Sequence, residues 1–189
     1  MIAIIDTGTG NLFNIQKVSG GEITDDIATI ENADKIIFPG VGSFPFVIDK
    51  IKPFRNTLVK KIRDGTPYLG ICLGLEVLFE SSEEGKGSGL SIFNGSIKKL
   101  TEGRIPHIGW DTVNILKNSK LFSGIKNNTY FYFLHSYYSP VNPYTVSTTE
   151  YGNVISSSIE YKNVFGVQFH PEKSGKDGIK ILKNFRDGI

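Results

Sequence analysis

PYLGICLGLEVLFES, Pro67 to Ser81, decides the reading of this 189-residue chain. Tyr68, Leu69 and Ile71 form a short apolar run opened by Pro67, the pattern of a buried strand. From Leu73 onward the apolar positions Leu75, Leu78 and Phe79 suit one face of a helix. Between strand and helix, Gly70-Ile71-Cys72-Leu73-Gly74 has the G-x-nucleophile-x-G pattern of a sharp turn that pushes its middle residue out at the sheet edge, with Cys where Ser is more familiar. Flanking glycines permit so tight a turn. The N-terminus of the following helix, with free N–H groups and partial positive charge, is expected to favour thiolate over thiol at Cys72. A lone intracellular Cys is more often a small buried hydrophobe than a nucleophile. The turn and a base elsewhere in the chain tip the balance.

The chain has three histidines. His107 lies in PHIGWD, His135 in FYFLHSYY and His170 in GVQFHPEKS. The run Phe165 to Phe169 reads as a strand, so His170 sits at a strand's end, with Pro171 fixing the chain and Glu172 following. A Cys nucleophile needs a base, and the base needs a carboxylate to hold its tautomer and orientation. Cys72, His170 and Glu172 supply those three roles. His107 and His135 are expected to be structural or pocket-lining.

Composition sets the bounds. The length predicts one domain, residues 1–189, with 39% hydrophobic and 21% charged residues, ordinary for a globular protein. A net charge of +2 gives no reason to expect nucleic acid or an anionic membrane as partner. One Cys excludes an intramolecular disulfide and suits a reducing, cytoplasmic setting. MIAIIDTGTGN lacks the basic and long apolar regions of a signal peptide, and no run has the length of a membrane span.

Taken in order, Ile2–Ile5 reads as a strand, followed by the Gly-rich turn Asp6 to Asn11, with Asn11 a candidate cap for a short helix stopped by Ser19-Gly20-Gly21. Gly8 and Gly10 lack the third glycine of a nucleotide-binding loop, so no nucleotide site is expected. Ile23 to Ile30 is expected to hold a second strand and a connection. Lys35–Phe38 is a buried strand running into Pro39-Gly40-Val41-Gly42-Ser43, where two glycines leave the peptide planes of Val41 free to adopt unusual orientations. Phe44 to Asp64 reads as helix interrupted by Pro53. The alternation predicts an α/β fold, a doubly wound, mostly parallel sheet with helices on both faces. Asp6, Gly40 and Cys72 follow strands directly and are expected to meet at the carboxyl edge. The second half is a series of strands with few helices between them, so additional antiparallel strands or a second small sheet are expected before a closing helix over Gly178 to Phe185.

GICLG followed by HPE, together with DTGTGNL, PGVGSF, PHIGWD and FYFLHSYY, resembles the class I glutamine amidotransferase family over essentially the whole chain. The resemblance implies a glutaminase without cofactor or metal. Cys72 would attack the side-chain amide of L-glutamine, ammonia would leave, and water would hydrolyse the thioester, with His170 moving the protons and Glu172 orienting it. The oxyanion would be held by the N–H groups of Leu73 and Val41, the latter after a peptide rearrangement. Gly40, Gly42, Glu76, His135 and Ser136 match positions that line the glutamine pocket. The PGVG and PHIGW strings are similar to the branch that forms a heterodimer with a cyclase subunit, a (β/α)8 barrel, in histidine biosynthesis. Trp110, Tyr132 and Lys173 match positions near that interface, with core packing as the competing role for the two aromatics.

Three departures stand out. Leu75-Glu76 replaces the family's Met-Gln, Asp111 replaces Asn, and the chain is short around Ser19-Gly20-Gly21. They leave open a paralogue serving another acceptor, such as an acetamidino sugar, and a non-catalytic partner subunit, against which the complete triad argues.

Overall fold

A computed structural model describes residues 1–189. The parallel half of the sheet is built first. β1 (Ile2–Ile5), β2 (Glu22–Thr24), β3 (Lys35–Gly40), β4 (Tyr68–Cys72) and β12 (Val164–Val167) lie in the order β2-β1-β3-β4-β12, all parallel. Apart from the edge strand β2, their apolar runs are buried on both faces, as a doubly covered parallel sheet requires. On one face lie α2 (Ile27–Glu31), α3 (Phe44–Ile51) and α4 (Arg55–Arg63), whose Ile30, Phe44, Val47, Leu58 and Ile62 pack with Phe38 and Tyr68. On the other lie α1 (Leu12–Ser19) and α6 (Gly175–Gly188), whose Ile15, Ile181, Leu182 and Phe185 pack with Ile37, Leu69 and Ile71.

The same sheet continues antiparallel through β11 (Asn153–Tyr161), β10 (Thr145–Tyr151), β7 (His107–Ile115) and β8 (Thr129–His135). A second, three-stranded sheet joins β5 (Phe79–Ser82), β6 (Phe93–Lys99) and β9 (Tyr137–Tyr138). Both forms of additional pairing expected of the second half are therefore present. No helix is long and apolar enough to cross a membrane.

Local expectations fare unevenly. Gly20 ends α1 at φ 71, its N–H bonded to the Gln16 carbonyl, but Asn11 makes no side-chain cap. The stretch expected to be strand and connection is a three-residue strand followed by α2, capped by Asp26, which accepts from the Thr29 N–H at 2.8 Å. The helix after Cys72 is also shorter than its apolar spacing suggests. α5 covers only Leu73–Glu76. The carbonyls that would extend it are taken by another segment: Leu90 N–H donates to Val77, and the Ile92 and Phe93 N–H groups donate to Leu78. Phe79 consequently opens β5, paired with Phe93.

Candidate active site

Three strand ends build the site. β3 and β4 are in register so that Gly40 stands opposite Cys72, and β12 on the other side of β4 leads through Gln168 and Phe169 to His170. At the turn itself the unusual backbone belongs to the cysteine. Cys72 has φ 52 and ψ −106, a conformation that costs a side-chain-bearing residue of order 1–3 kcal/mol. The flanking glycines are required by close approach instead. A Cβ on Gly70 would stand 2.2 Å from the Gly74 carbonyl oxygen, and one on Gly74 would stand 1.7 Å from that of Phe38. The buried Tyr68 hydroxyl completes the turn by donating to the Gly74 carbonyl at 2.8 Å.

A cavity of about 310 Å³ opens beside Cys72, lined by Val41, Gly42, Leu73, Glu76 and Glu84 on one side and by Pro106, Leu134, His135, Ser136 and Tyr137 on the other. Gly42 takes φ 119, a conformation that favours glycine. The structure thus brings Val41, Gly42, Leu73, Glu76, His135 and Ser136 to the thiol. Gly40 stays within β3 behind Leu73, and Asp6 is not among the lining residues; its carboxylate accepts from the Gly8 N–H.

The thiol is not poised as thiolate. It is 5% exposed and donates to the Leu134 carbonyl at 3.6 Å. Burial pushes its pKa well above the ordinary value, and the carboxylates of Glu76 and Glu172 push the same way; the Leu73 N–H and the Gln168 amide oppose them without prevailing. The expectation of a helix-stabilised thiolate is corrected here. A helix of four residues supplies little field, and desolvation outweighs it.

His170 is buried, and its Nδ1 meets Glu172 Oε1 at 2.9 Å. Its Nε2 is buried without a hydrogen-bond partner. The segment is fastened to β8 on both sides: His170 N–H donates to the Tyr132 carbonyl, and the Ser174 hydroxyl donates to the His170 carbonyl while accepting from the Tyr132 N–H. His107 and His135 are opposed across β7 and β8, with Nδ1 of the former 3.2 Å from Nε2 of the latter. His135 Nδ1 lies 2.8 Å from the Tyr137 carbonyl, so that nitrogen carries the proton and donates. Burial, then His107 and His170, hold the His135 pKa down to about 3, keeping it neutral.

The outer face of the β7–β8 hairpin is apolar and open. Trp110 pairs in register with Tyr132 and meets it edge-on at 6.1 Å, and Lys173 lies over the Tyr132 ring at 5.7 Å. Trp110 is 55% exposed, and Ile108 and Tyr130 on the same face are comparably exposed. Core packing is therefore not the role of Trp110. Two residues close to the thiol and the cavity carry no signal in the sequence. Gln168, fully buried, donates from Nε2 to Glu76 Oε1 at 3.1 Å and to Cys72 Sγ at 3.8 Å. Glu84 sits in a loop read only as polar, yet it lines the cavity and accepts from the Phe44 N–H at the start of α3.

Residues 13–187 match the family model for class-I glutamine amidotransferases. The chain belongs to the class I glutamine amidotransferase family. It is 52% identical over 185 residues to the imidazole glycerol phosphate synthase subunit HisH of Picrophilus torridus, covering 98% of each chain. The protein of the same name from Pyrococcus furiosus is 52% identical over 189 residues, with 98% of this chain and 97% of that one covered. Among solved structures, PurLQS from Thermotoga maritima superposes with a TM-score of 0.73 at 16% identity, over 97% of this chain and 96% of that one. A crystal structure titled glutamine amidotransferase gives 0.76 at 13% identity, with both chains fully covered. At such identities the structural likeness concerns the amidotransferase fold alone. The activity follows from the family: this amidotransferase is a glutaminase that uses glutamine as its nitrogen source.

Proposed function

We propose that this chain is the glutaminase subunit of imidazole glycerol phosphate synthase, a single domain that hydrolyses glutamine and passes ammonia to a cyclase subunit. The near-full-length identity of about half with HisH proteins supports the assignment. The observation that carries the mechanism is the strained Cys72 beside a cavity, with the hydrogen-bonded His170–Glu172 pair following β12, the strand next to β4. Cys72 sulfur attacks the amide carbon while His170 Nε2 takes the thiol proton and returns it to the departing ammonia; water activated by the same nitrogen then cleaves the thioester to glutamate. Glu172 holds Nδ1 protonated and so presents Nε2 as the base. The Leu73 N–H and the Val41 N–H receive the oxyanion. Glu84, the second carboxylate of the cavity, is placed for the α-ammonium of glutamine, with Gly42, His135 and Ser136 completing the wall.

In the free chain the thiol is occupied by Leu134 and His170 Nε2 has no partner, which favours a slow resting enzyme. Trp110, Tyr132 and Lys173 form the docking face for the cyclase, a (β/α)8 barrel in the cytoplasm. Docking there acts on the strand that holds the thiol. The test is glutamine turnover by the chain alone and with the cyclase subunit of the same organism. Cys72→Ala should abolish ammonia release without unfolding the protein, and Glu172→Gln should lower kcat by less than His170→Ala does, because it orients without reacting. Substantial ammonia release by C72A would refute the nucleophile. Full turnover with no cyclase present would refute the resting state.

A further inference from the structure

Glu76 is the least expected side chain in the cavity. It is 4% exposed, in contact range of the thiol's own hydrogen-bond partner, and no Lys or Arg lines the space. The titratable groups around it are Cys72 on its own turn, Glu84 from the loop after β5, His135 at the end of β8, Tyr137 of β9 and, beyond the thiol, the His170–Glu172 pair. His135 is not a cation, since it donates one ring proton to Tyr137 and accepts at the other nitrogen. An anionic Glu76 has only one donor, the Gln168 amide, whose second N–H is directed to Cys72.

We infer that Glu76 works as a neutral carboxylic acid that donates its proton to an acceptor oxygen of bound glutamine, with Gln168 as the positioning residue that decides which oxygen carries it. The inference rests on the glutaminase reading above. Gln168 Nε2 donates to Oε1, so Oε1 is the carbonyl end of the acid. The proton then resides on Oε2, which has no partner in the protein and belongs to a residue lining the cavity. A neutral Glu76 held in this way presents the same pattern as a glutamine at that position: a carbonyl accepting from Gln168 and a donor facing the substrate. It also removes the repulsion that an anion would exert on the carboxylate of glutamine and on the nascent thiolate. Burial favours the same form, pushing the Glu76 pKa up to about 8, with Glu84 adding to the rise and Gln168 opposing it.

The consequence is a loss of activity on the alkaline side that belongs to Glu76 alone. Glutamine turnover should be followed from about pH 6 to about pH 10 for the chain paired with its cyclase subunit, comparing the parent with Glu76→Gln. The parent should lose kcat/KM about tenfold per pH unit above about 8, through KM first. E76Q should show no such limb, because its amide donates at every pH, so the shape of the profile and not its height at pH 7 is the readout. Gln168→Leu should move the limb to higher pH, since it removes the one donor that favours the anion; a merely structural Gln168 would lower activity without moving it. A readout independent of turnover is the ¹³C NMR titration of the Glu76 carboxyl in the free chain, assigned by its disappearance in E76Q. A midpoint near 8 is expected, and one near the ordinary glutamate value would overturn the inference. An unchanged alkaline limb in E76Q would overturn it equally. A high midpoint with no glutamine turnover by either protein would instead refute the glutaminase reading and, with it, the donation to glutamine.

Discussion

Gly74→Ala is the sharpest probe of how the turn at Cys72 is built. The added methyl carbon would stand 1.7 Å from the Phe38 carbonyl oxygen. Ordinary carbon-to-carbonyl contacts are roughly 3.3 Å, so β3 and the turn would have to part by about 1.5 Å. Neither side can yield cheaply. Phe38 lies in the middle of β3 and is paired with Gly70 of β4, and Gly74 is held by the Tyr68 hydroxyl. Overpacking that side chains can relieve costs about 1–3 kcal/mol, and a backbone clash sets that range as the floor, so about 3 kcal/mol or more is expected. Displacement by about 1 Å at a reacting group also costs on the order of 10²-fold in rate. The control is Gly188→Ala, where a new methyl meets nothing within 4 Å near the end of α6, and where the loss of backbone freedom in the unfolded chain should stabilise by up to about 1 kcal/mol. Urea unfolding with matched m-values measures both, and labelling of Cys72 by a glutamine-like electrophile reports the turn. If G74A is within about 1 kcal/mol of the parent and labels at the parent rate, the close-approach account is wrong.

Two further outcomes follow from geometry already given. Trp110→Ala should weaken cyclase binding by about 2 kcal/mol, roughly 30-fold by calorimetry, while changing the stability of the free chain by less than about 0.5 kcal/mol, because the ring is 55% exposed; equal affinity would remove Trp110 from the interface. His135 is neutral when folded, with its pKa lowered from 6.5 to about 3, so its contribution to stability is complete above 6.5 and declines by up to about 1.4 kcal/mol per pH unit as the pH falls toward 3; His135→Gln should flatten the acid limb of the urea-derived stability curve by up to one proton, and an unchanged slope would show that the imidazole is not held neutral.

How much of this was legible in the sequence depends on range. Most of the parallel half was, because its central strands are buried and therefore spelled as apolar runs such as Ile36–Phe38 and Tyr68–Cys72. The placement of Cys72 at the end of β4, and of the His170–Glu172 pair shortly after β12, was also legible. What local pattern could not convey was competition for backbone carbonyls. Leu78 and Phe79 have helical spacing, and only the distant Leu90 to Phe93 segment explains why no helix continues there. The thiol's protonation departs from the sequence expectation for a related reason: the helix dipole is a local feature, whereas desolvation and the carboxylates of Glu76 and Glu172 arise from the assembled fold. Glu84 lies in a polar loop, and Gln168 is a single polar residue in an apolar, strand-like run, so neither carries a signal of proximity to Cys72.

The carbonyl of Leu134 that engages the Cys72 thiol has a consequence for the survival of the protein between turnovers. Peroxides and electrophiles attack thiolates, and they do so where they can reach them. Cys72 at rest is protonated, enclosed and hydrogen-bonded to backbone, three conditions that each slow that attack. Oxidation to sulfenic acid, the reversible step that opens the way to irreversible sulfinic and sulfonic acids, is thereby favoured chiefly when the sulfur is activated for glutamine. The arrangement that keeps this nucleophile idle without its partner also lets its only cysteine age slowly.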